Sequence, residues 1–254
     1  MTHTAVVTGG GSGIGRAICR ELATLNWQVI VTDIRHDAAE ETVSTLAGTG
    51  HEAHALDVTD AAAAQTLVED ISSRHGLEAW VNNAGVSKMR RFVEISEAEY
   101  DLTLDINLKG VFVCGQAAAR ALIQQGRGGK IVNTASMAGK QGRVPFLADY
   151  VASKFGVIGL TQAMAFELAE HNITVNSVCP GFVATPMQDR ELAWEAELKG
   201  TSVDEVRESW VVDTPLGRLQ QPEDVAQSVG FLLSDKADFI TGEALSVNGG
   251  AYMD

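Results

Sequence analysis

Short apolar runs alternate with helical stretches along nearly the whole chain, and this alternation restricts the fold more than any other feature. The runs at 4–8, 28–33, 51–56, 79–82, 130–135, 173–178 and 244–247 read as strands. Between the first two, Ile14, Ala17, Ile18 and Leu22 share one helical face. Further helices are predicted near 37–47, 60–75, 98–125, 149–170 and 222–234. A helix between successive strands is a crossover, so neighbouring strands run parallel. The strand cores are near-continuous apolar runs, as expected when helices cover both faces of a sheet. The expected architecture is α/β: one doubly wound domain over 1–254 with a seven-stranded parallel sheet. Segment 186–212 differs in texture, mixing charges with Trp194 and Trp210. It is expected to be a lid over a substrate pocket, or else a surface helical pair that only packs.

Composition narrows the partners. The chain has 254 residues, enough for one large core, with 19 basic and 33 acidic residues and a net charge of −14. That balance argues against non-specific binding to nucleic acid or to an anionic membrane. No apolar run reaches the ~18 residues of a membrane span, and no charged-then-apolar signal segment opens the chain. Cys19, Cys114 and Cys179 are far apart in apolar stretches without metal-type spacing, so buried free thiols, no metal and a reducing cytoplasm are expected.

A glycine-rich turn, Gly9-Gly-Gly-Ser-Gly-Ile-Gly15, joins the first strand to the first helix. Glycine lets the backbone approach a ligand closely, and a helix N-terminus offers unpaired N–H groups to a pyrophosphate. By itself such a string is also an ordinary tight turn; its place after a strand points to a dinucleotide-binding Rossmann fold. Asp33 ends the second strand, where a carboxylate bonds ribose hydroxyls and repels a 2′-phosphate, favouring NAD over NADP. Arg35, two residues on, is the feature that favours NADP. Asp57 ends the third strand and suits a place beside the adenine.

Tyr150 and Lys154 stand four apart on one predicted helix, so their side chains share a face. Lowering a tyrosine from ~10 to ~7 takes roughly 4 kcal/mol. One ammonium ~4 Å away at an effective dielectric of ~20 supplies about that. Ser136, at the end of the fifth strand, is placed to hold a substrate oxygen as charge develops on it. Together with the glycine turn, this pattern points to hydride transfer at a carbon bearing oxygen.

These residues carry a family resemblance. The chain resembles the short-chain dehydrogenase/reductase family over essentially its whole length, through Thr8-Gly9-x-x-x-Gly13-x-Gly15, Asp57, Asn82-Asn83-Ala84-Gly85, Asn107, Ser136, Tyr150-x-x-x-Lys154 and Pro180-Gly181. The resemblance implies Gly9, Ser12, Gly13, Ile14 and Gly15 at the pyrophosphate, and Asp33 and Ile34 at the ribose end. It implies Asp57 and Val58 at the adenine, Asn83, Ala84 and Gly85 along the cofactor, and Pro180, Gly181, Val183 and Thr185 around the nicotinamide. Asn107, Ser136, Tyr150 and Lys154 match the family's catalytic four, with Lys154 also on the nicotinamide ribose and Asn107 orienting a water. It also implies a homotetramer built on the long helices and the last strand.

The substrate is expected to meet 89–91, 137–146 and the lid, with Lys140, Arg143 and Arg90 either binding an anionic group or remaining solvated. Within the family the sequence looks similar to polyol (sorbitol-type) and acetoin/butanediol dehydrogenases, through runs such as Gln116-Ala-Ala-Ala-Arg120 and Gln125-Gly-Arg-Gly-Gly-Lys130. The expected activity is thus interconversion of a small secondary alcohol and its ketone with NAD. A 3-oxoacyl carrier-protein reductase is the enzymatic alternative, and a non-catalytic dinucleotide sensor on the same fold is the alternative of another class.

Overall fold

Each apolar run forms a strand in the computed structural model, which describes residues 3–253. The strands are β1 (Thr4–Thr8), β2 (Gln28–Asp33), β3 (Glu52–Ala55), β4 (Ala79–Asn82), β5 (Gly129–Thr134), β6 (Ile173–Pro180) and β7 (Ala244–Val247). They pair in parallel in the order β3-β2-β1-β4-β5-β6-β7. The helices are α1 (Gly13–Thr24), α2 (His36–Val43), α3 (Ala61–Arg74), α4 (Glu97–Leu104), α5 (Gly110–Gln125), α6 (Ala148–Leu168), α7 (Pro186–Lys199), α8 (Val203–Val212) and α9 (Pro222–Leu233).

Strand side chains alternate between two helical layers. Val7, Val31, Val132 and Val178 meet Ile18 and Leu22 of α1 and Val229 and Leu232 of α9. Val6, Ile30, Trp80, Ile131 and Val175 face the other way, onto Val68 and Ile71 of α3 and Ala118 and Leu122 of α5. Burial on both faces explains why the strands lack a polar period. The chain doubles back between β1 and β4, and this opens a crevice beyond their carboxyl ends.

One predicted helix comes out differently, and the segment of mixed texture takes a definite form. The single helix expected over 98–125 is broken by a five-residue π-helical turn, Asp105–Lys109. The wide turn adds a residue and re-phases α5 against α4. Gly110 follows it because a Cβ there would fall 2.8 Å from Cγ2 of Val58. The segment 186–212 forms a regular helical pair. Thr185 caps α7, Gly200 ends it at φ +68°, and a Ser202–Glu205 capping box starts α8. Leu192, Ala196, Val206 and Trp210 bind the pair, with Trp210 stacked on Phe182 at 4.8 Å.

All three cysteines are buried and outside any disulfide. Burial pushes the Cys114 thiol up to about 12, which suits an inert packing role. No helix among the described residues is long and apolar enough to cross a membrane.

Candidate active site

A cavity of about 880 Å³ lies over the carboxyl ends of the strands. Its wall includes Gly9, Ser12, Gly13, Ile14, Gly15, Asp33, Ile34, Asp57, Val58, Asn83, Ala84, Gly85, Pro180, Gly181, Val183 and Thr185. The glycine turn is shaped by close approach. Gly9 has φ +62°, and a Cβ on it would lie 2.8 Å from the Ala84 Cα. One on Gly15 would fall 2.1 Å from the Gly9 carbonyl oxygen. Thr8 ties this turn to the neighbouring strand end: its hydroxyl accepts from Asn83 N at 2.9 Å and Ala84 N at 3.1 Å. Asn83 Nδ2 donates back to the Thr8 carbonyl at 3.1 Å.

These residues fit a dinucleotide. Ser12, at the N-cap of α1, makes no side-chain capping bond, and the first turn of α1 carries no acidic residue. An anion at that helix end meets unopposed N–H groups. Asp33 accepts from Gly11 N and Arg35 N, both at 3.0 Å, which fixes its carboxylate in the wall. Asp57 is held by Thr59, whose backbone N–H and hydroxyl donate at 2.9 and 2.7 Å.

Ser136, Tyr150 and Lys154 line the same cavity, whereas Asn107 does not. Asn107 is fully buried in the π turn and clamps Val86, accepting from its N–H and donating to its carbonyl, each at 2.8 Å. Its amide also reaches Ser153 Oγ at 3.3 Å, and Ser153 bonds the Tyr150 carbonyl at 2.7 Å. Lys154 donates to the Thr134 carbonyl at 2.8 Å, and its Nζ lies 5.5 Å from the centre of the Tyr150 ring.

Desolvation opposes the expected lowering of Tyr150 by Lys154 in this geometry. Burial pushes the Tyr150 phenol up, the Glu191 charge adds to this, and the hydrogen bond with Ser136 only partly offsets it. Burial also pushes Lys154 down to about 8. The pairwise Coulomb argument omitted desolvation, which dominates both groups. The ammonium is also committed to a backbone carbonyl rather than to the phenol oxygen. A phenol kept neutral is a proton donor.

Of the three cations near the substrate end, only Arg143 lines the cavity. Lys140 bonds Ser246 Oγ at 2.9 Å, and Arg90 pairs with Glu99 at 3.3 Å. Of the two tryptophans, Trp210 lines the cavity and Trp194 does not. Several lining residues had not been singled out in the sequence. Val86, Leu147, Phe182 and Ala251 complete the wall, and α7 adds Gln188, Arg190, Glu191 and Glu195. Glu191 and Glu195 are 7% and 4% exposed. Glu195 accepts from Trp210 Nε1 at 3.1 Å and pairs with Lys199. Glu191 accepts from the Ser87 hydroxyl, and burial raises it to about 7. Four apart on α7, the two share a face, but nothing in the helix's own residues says that this face is covered.

A family model described as enoyl-(acyl carrier protein) reductase matches residues 9–252. The chain belongs to the short-chain dehydrogenase/reductase family. As a member it is an oxidoreductase built to use a nicotinamide dinucleotide, consistent with the cradle described above. It is 40% identical to the 3-oxoacyl-[acyl-carrier-protein] reductase FabG of Staphylococcus aureus, over all of this chain and 99% of that protein. It is 41% identical to the human (3R)-3-hydroxyacyl-CoA dehydrogenase, over 98% of this chain and 95% of the relative. Among solved structures, an actinorhodin polyketide ketoreductase variant with NADPH superposes with a TM-score of 0.94 at 35% identity, covering 98% and 97% of the two chains. These relatives are named for 3-oxoacyl, 3-hydroxyacyl and polyketide chemistry, not for polyols or acetoin. The runs that suggested polyol dehydrogenases lie on the scaffold, at 116–120 in α5 and 125–130 leading into β5, away from the cavity wall.

Proposed function

We propose that the protein is a ketoreductase of the 3-oxoacyl type, interconverting a 3-oxoacyl group and the corresponding secondary alcohol with NAD(H). The observation that carries the reaction is the grouping of Tyr150, Ser136 and Lys154 on the wall of the cavity into which the glycine turn opens. The named activities of the relatives support the acyl class. The cofactor supplies a hydride to the carbonyl carbon, or takes one from the alcohol carbon. Ser136 Oγ donates to the substrate oxygen, and the Tyr150 hydroxyl gives that oxygen its proton as the carbonyl π pair moves onto it. Lys154, held by the Thr134 carbonyl, would grip the nicotinamide ribose, the proton returns to Tyr150 from solvent, and Asn107 holds the Val86 segment at the cavity wall. Oxidation of the alcohol follows the same path in reverse.

Asp33 favours NAD, although the ketoreductase neighbour was solved with NADPH. Arg143 and Arg190 are exposed at the cavity and suit the phosphates of a coenzyme-A thioester. The −14 balance argues against docking an acidic carrier protein. A second reading, a polyol or other hydroxylated alcohol as substrate, is favoured by one observation: the buried Glu191 carboxyl in the substrate half of the cavity. The 186–212 pair serves as the lid within a single domain. Exposed Phe112, Phe155 and Phe166 on α5 and α6 suit a homotetramer, to be checked by light scattering. A cytoplasmic location completes this reading.

The test is NADH and NADPH consumption with acetoacetyl thioesters and acetoacetate esters, alongside NAD reduction with secondary and sugar alcohols. Tyr150→Phe is expected to lose about 10²–10⁴-fold in kcat with little change in cofactor affinity. Turnover surviving in Tyr150→Phe sinks the mechanism. Tight cofactor binding with no turnover on the whole panel supports the sensor alternative.

A further inference from the structure

Glu191 sits on the second turn of α7, nine-tenths buried, on the wall of the cavity that Ser136 and Tyr150 line. It has no part in proton transfer to the carbonyl oxygen, and its charge works against Tyr150 as a base. Burying a carboxyl costs free energy unless the group is paired or hydrogen-bonded. Glu195, one turn on, meets that requirement inside the protein through Trp210 and Lys199. Glu191 has no such cation in contact; Arg190 acts on it only through space. Its fixed neighbours are the Ser87 hydroxyl and the Gln188 amide. Gln188 lines the cavity too, and its Oε1 is buried without a hydrogen-bond partner among the described residues.

The support beneath this group is rigid. Ser87 follows Val86, whose N–H and carbonyl are both held by Asn107. Thr185 caps the first turn of α7 by accepting from Gln188 N at 3.4 Å. A fixed carboxyl on the cavity wall, near enough for its charge to act on Tyr150, with an unpartnered amide oxygen one turn before it, matches a substrate that brings its own polar atom.

We infer that Glu191, with Gln188 and Ser87, is a specificity site that binds a second oxygen function of the substrate, a hydroxyl or a carbonyl close to the reacting carbon. A carboxyl in this position donates to a carbonyl when protonated and accepts from a hydroxyl in either state. A simple secondary alcohol brings no further partner for the carboxyl, so it forgoes that contact and is discriminated against. The inference rests on the oxidoreductase reading above and adds to it which alcohols the site selects.

The experiment compares butan-2-ol, butane-2,3-diol and methyl 3-hydroxybutanoate in wild type, Glu191→Gln and Glu191→Leu. Wild type is expected to favour at least one oxygen-bearing substrate over butan-2-ol in kcat/KM by more than about tenfold. In Glu191→Leu the ratio falls towards one, mainly through KM, and Glu191→Gln keeps part of it. Preference for the diol identifies a hydroxyl as the second oxygen, and preference for the ester identifies a carbonyl. A wild-type ratio near one, or a ratio unchanged in Glu191→Leu, overturns the inference. Calorimetric binding of the same three compounds to the NAD-loaded proteins reads the preference without turnover. A wild type that binds the diol or ester selectively but turns over nothing refutes the oxidoreductase reading and leaves this one standing. Equal binding of all three refutes this one. Should Glu191→Leu fail to fold, Glu191→Gln carries both comparisons.

Discussion

Asp33 and Glu191 are both carboxylates on one cavity wall, and their surroundings assign them opposite tasks. Asp33 accepts two backbone N–H bonds at a strand end, which fixes a charge where a dinucleotide's ribose would lie. One unit charge ~5 Å from another at an effective dielectric of ~20 is worth about 3 kcal/mol. Asp33→Ser is therefore expected to raise the ratio of kcat/KM for NADP over NAD by at least about tenfold. An unchanged ratio removes Asp33 from cofactor choice. Glu191 is buried and held near 7 rather than at its ordinary 4.5. Between those values the folded protein keeps a proton that the unfolded chain has released. The group's contribution to stability is therefore whole below pH ~4.5 and is lost as pH rises through about 7. Glu191→Gln removes that dependence. Urea unfolding at pH 5 and pH 8 is expected to show the variant gaining on wild type by about 3 kcal/mol across this interval. Parallel curves would mean that Glu191 does not titrate while buried. Asp33 could be picked out from its place after a strand, but Glu191 could not. Helix α7 has acidic residues at 189, 191, 195 and 197, and only packing against Ser87 and Trp210 selects which are covered.

Among the elements, the π turn between α4 and α5 is the clearest departure from the predicted pattern. An apolar period fits one long helix over 98–125, because one extra residue in a turn barely disturbs the count of buried positions. Local signals for its start were present: Ser96 and Glu99 form a capping box at the head of α4. The break itself has no local signature, since it is stabilised by Asn107 reaching the backbone of Val86. Asn supplies one donor and one acceptor at the end of a short stem, which is what a single peptide's N–H and carbonyl require. Asn107→Leu leaves both half-buried groups without their partner. A loss of about 1–3 kcal/mol in urea unfolding is expected, below the full cost of two wholly buried orphans. A loss below about 1 kcal/mol would show that Val86 finds other partners. The helical pair α7–α8 repeats the lesson. Its caps at Thr185, Gly200 and Ser202 are readable, whereas the Phe182–Trp210 stack that seats it on the body is not.

At the scale of the whole molecule, the dinucleotide cradle draws on β1, β2, β4 and β6, so cofactor binding and global stability are linked. NAD at about 100 times its Kd is expected to add about 2.7 kcal/mol, seen as a rise of roughly 5–10 °C in Tm for a chain of this size. The rise should be smaller with NADP at equal concentration. A Tm indifferent to both would refute the cradle. The parallel sheet, the glycine turn at the end of its first strand, and a tyrosine and lysine on one helical face are all legible in the order of residues alone. Those features rest on periods of two and 3.6 residues and on backbone sterics, which act within a few positions. Only the tertiary structure decided which charges are buried and what they face. Ser87 and Glu191 are 104 residues apart and meet through packing. The same holds for the Lys154 bond to Thr134, and for Lys140 and Arg90, which bond Ser246 and Glu99 outside the cavity wall. Desolvation and hydrogen-bond pairing depend on what the fold brings alongside, and spacing along the chain carries no record of it.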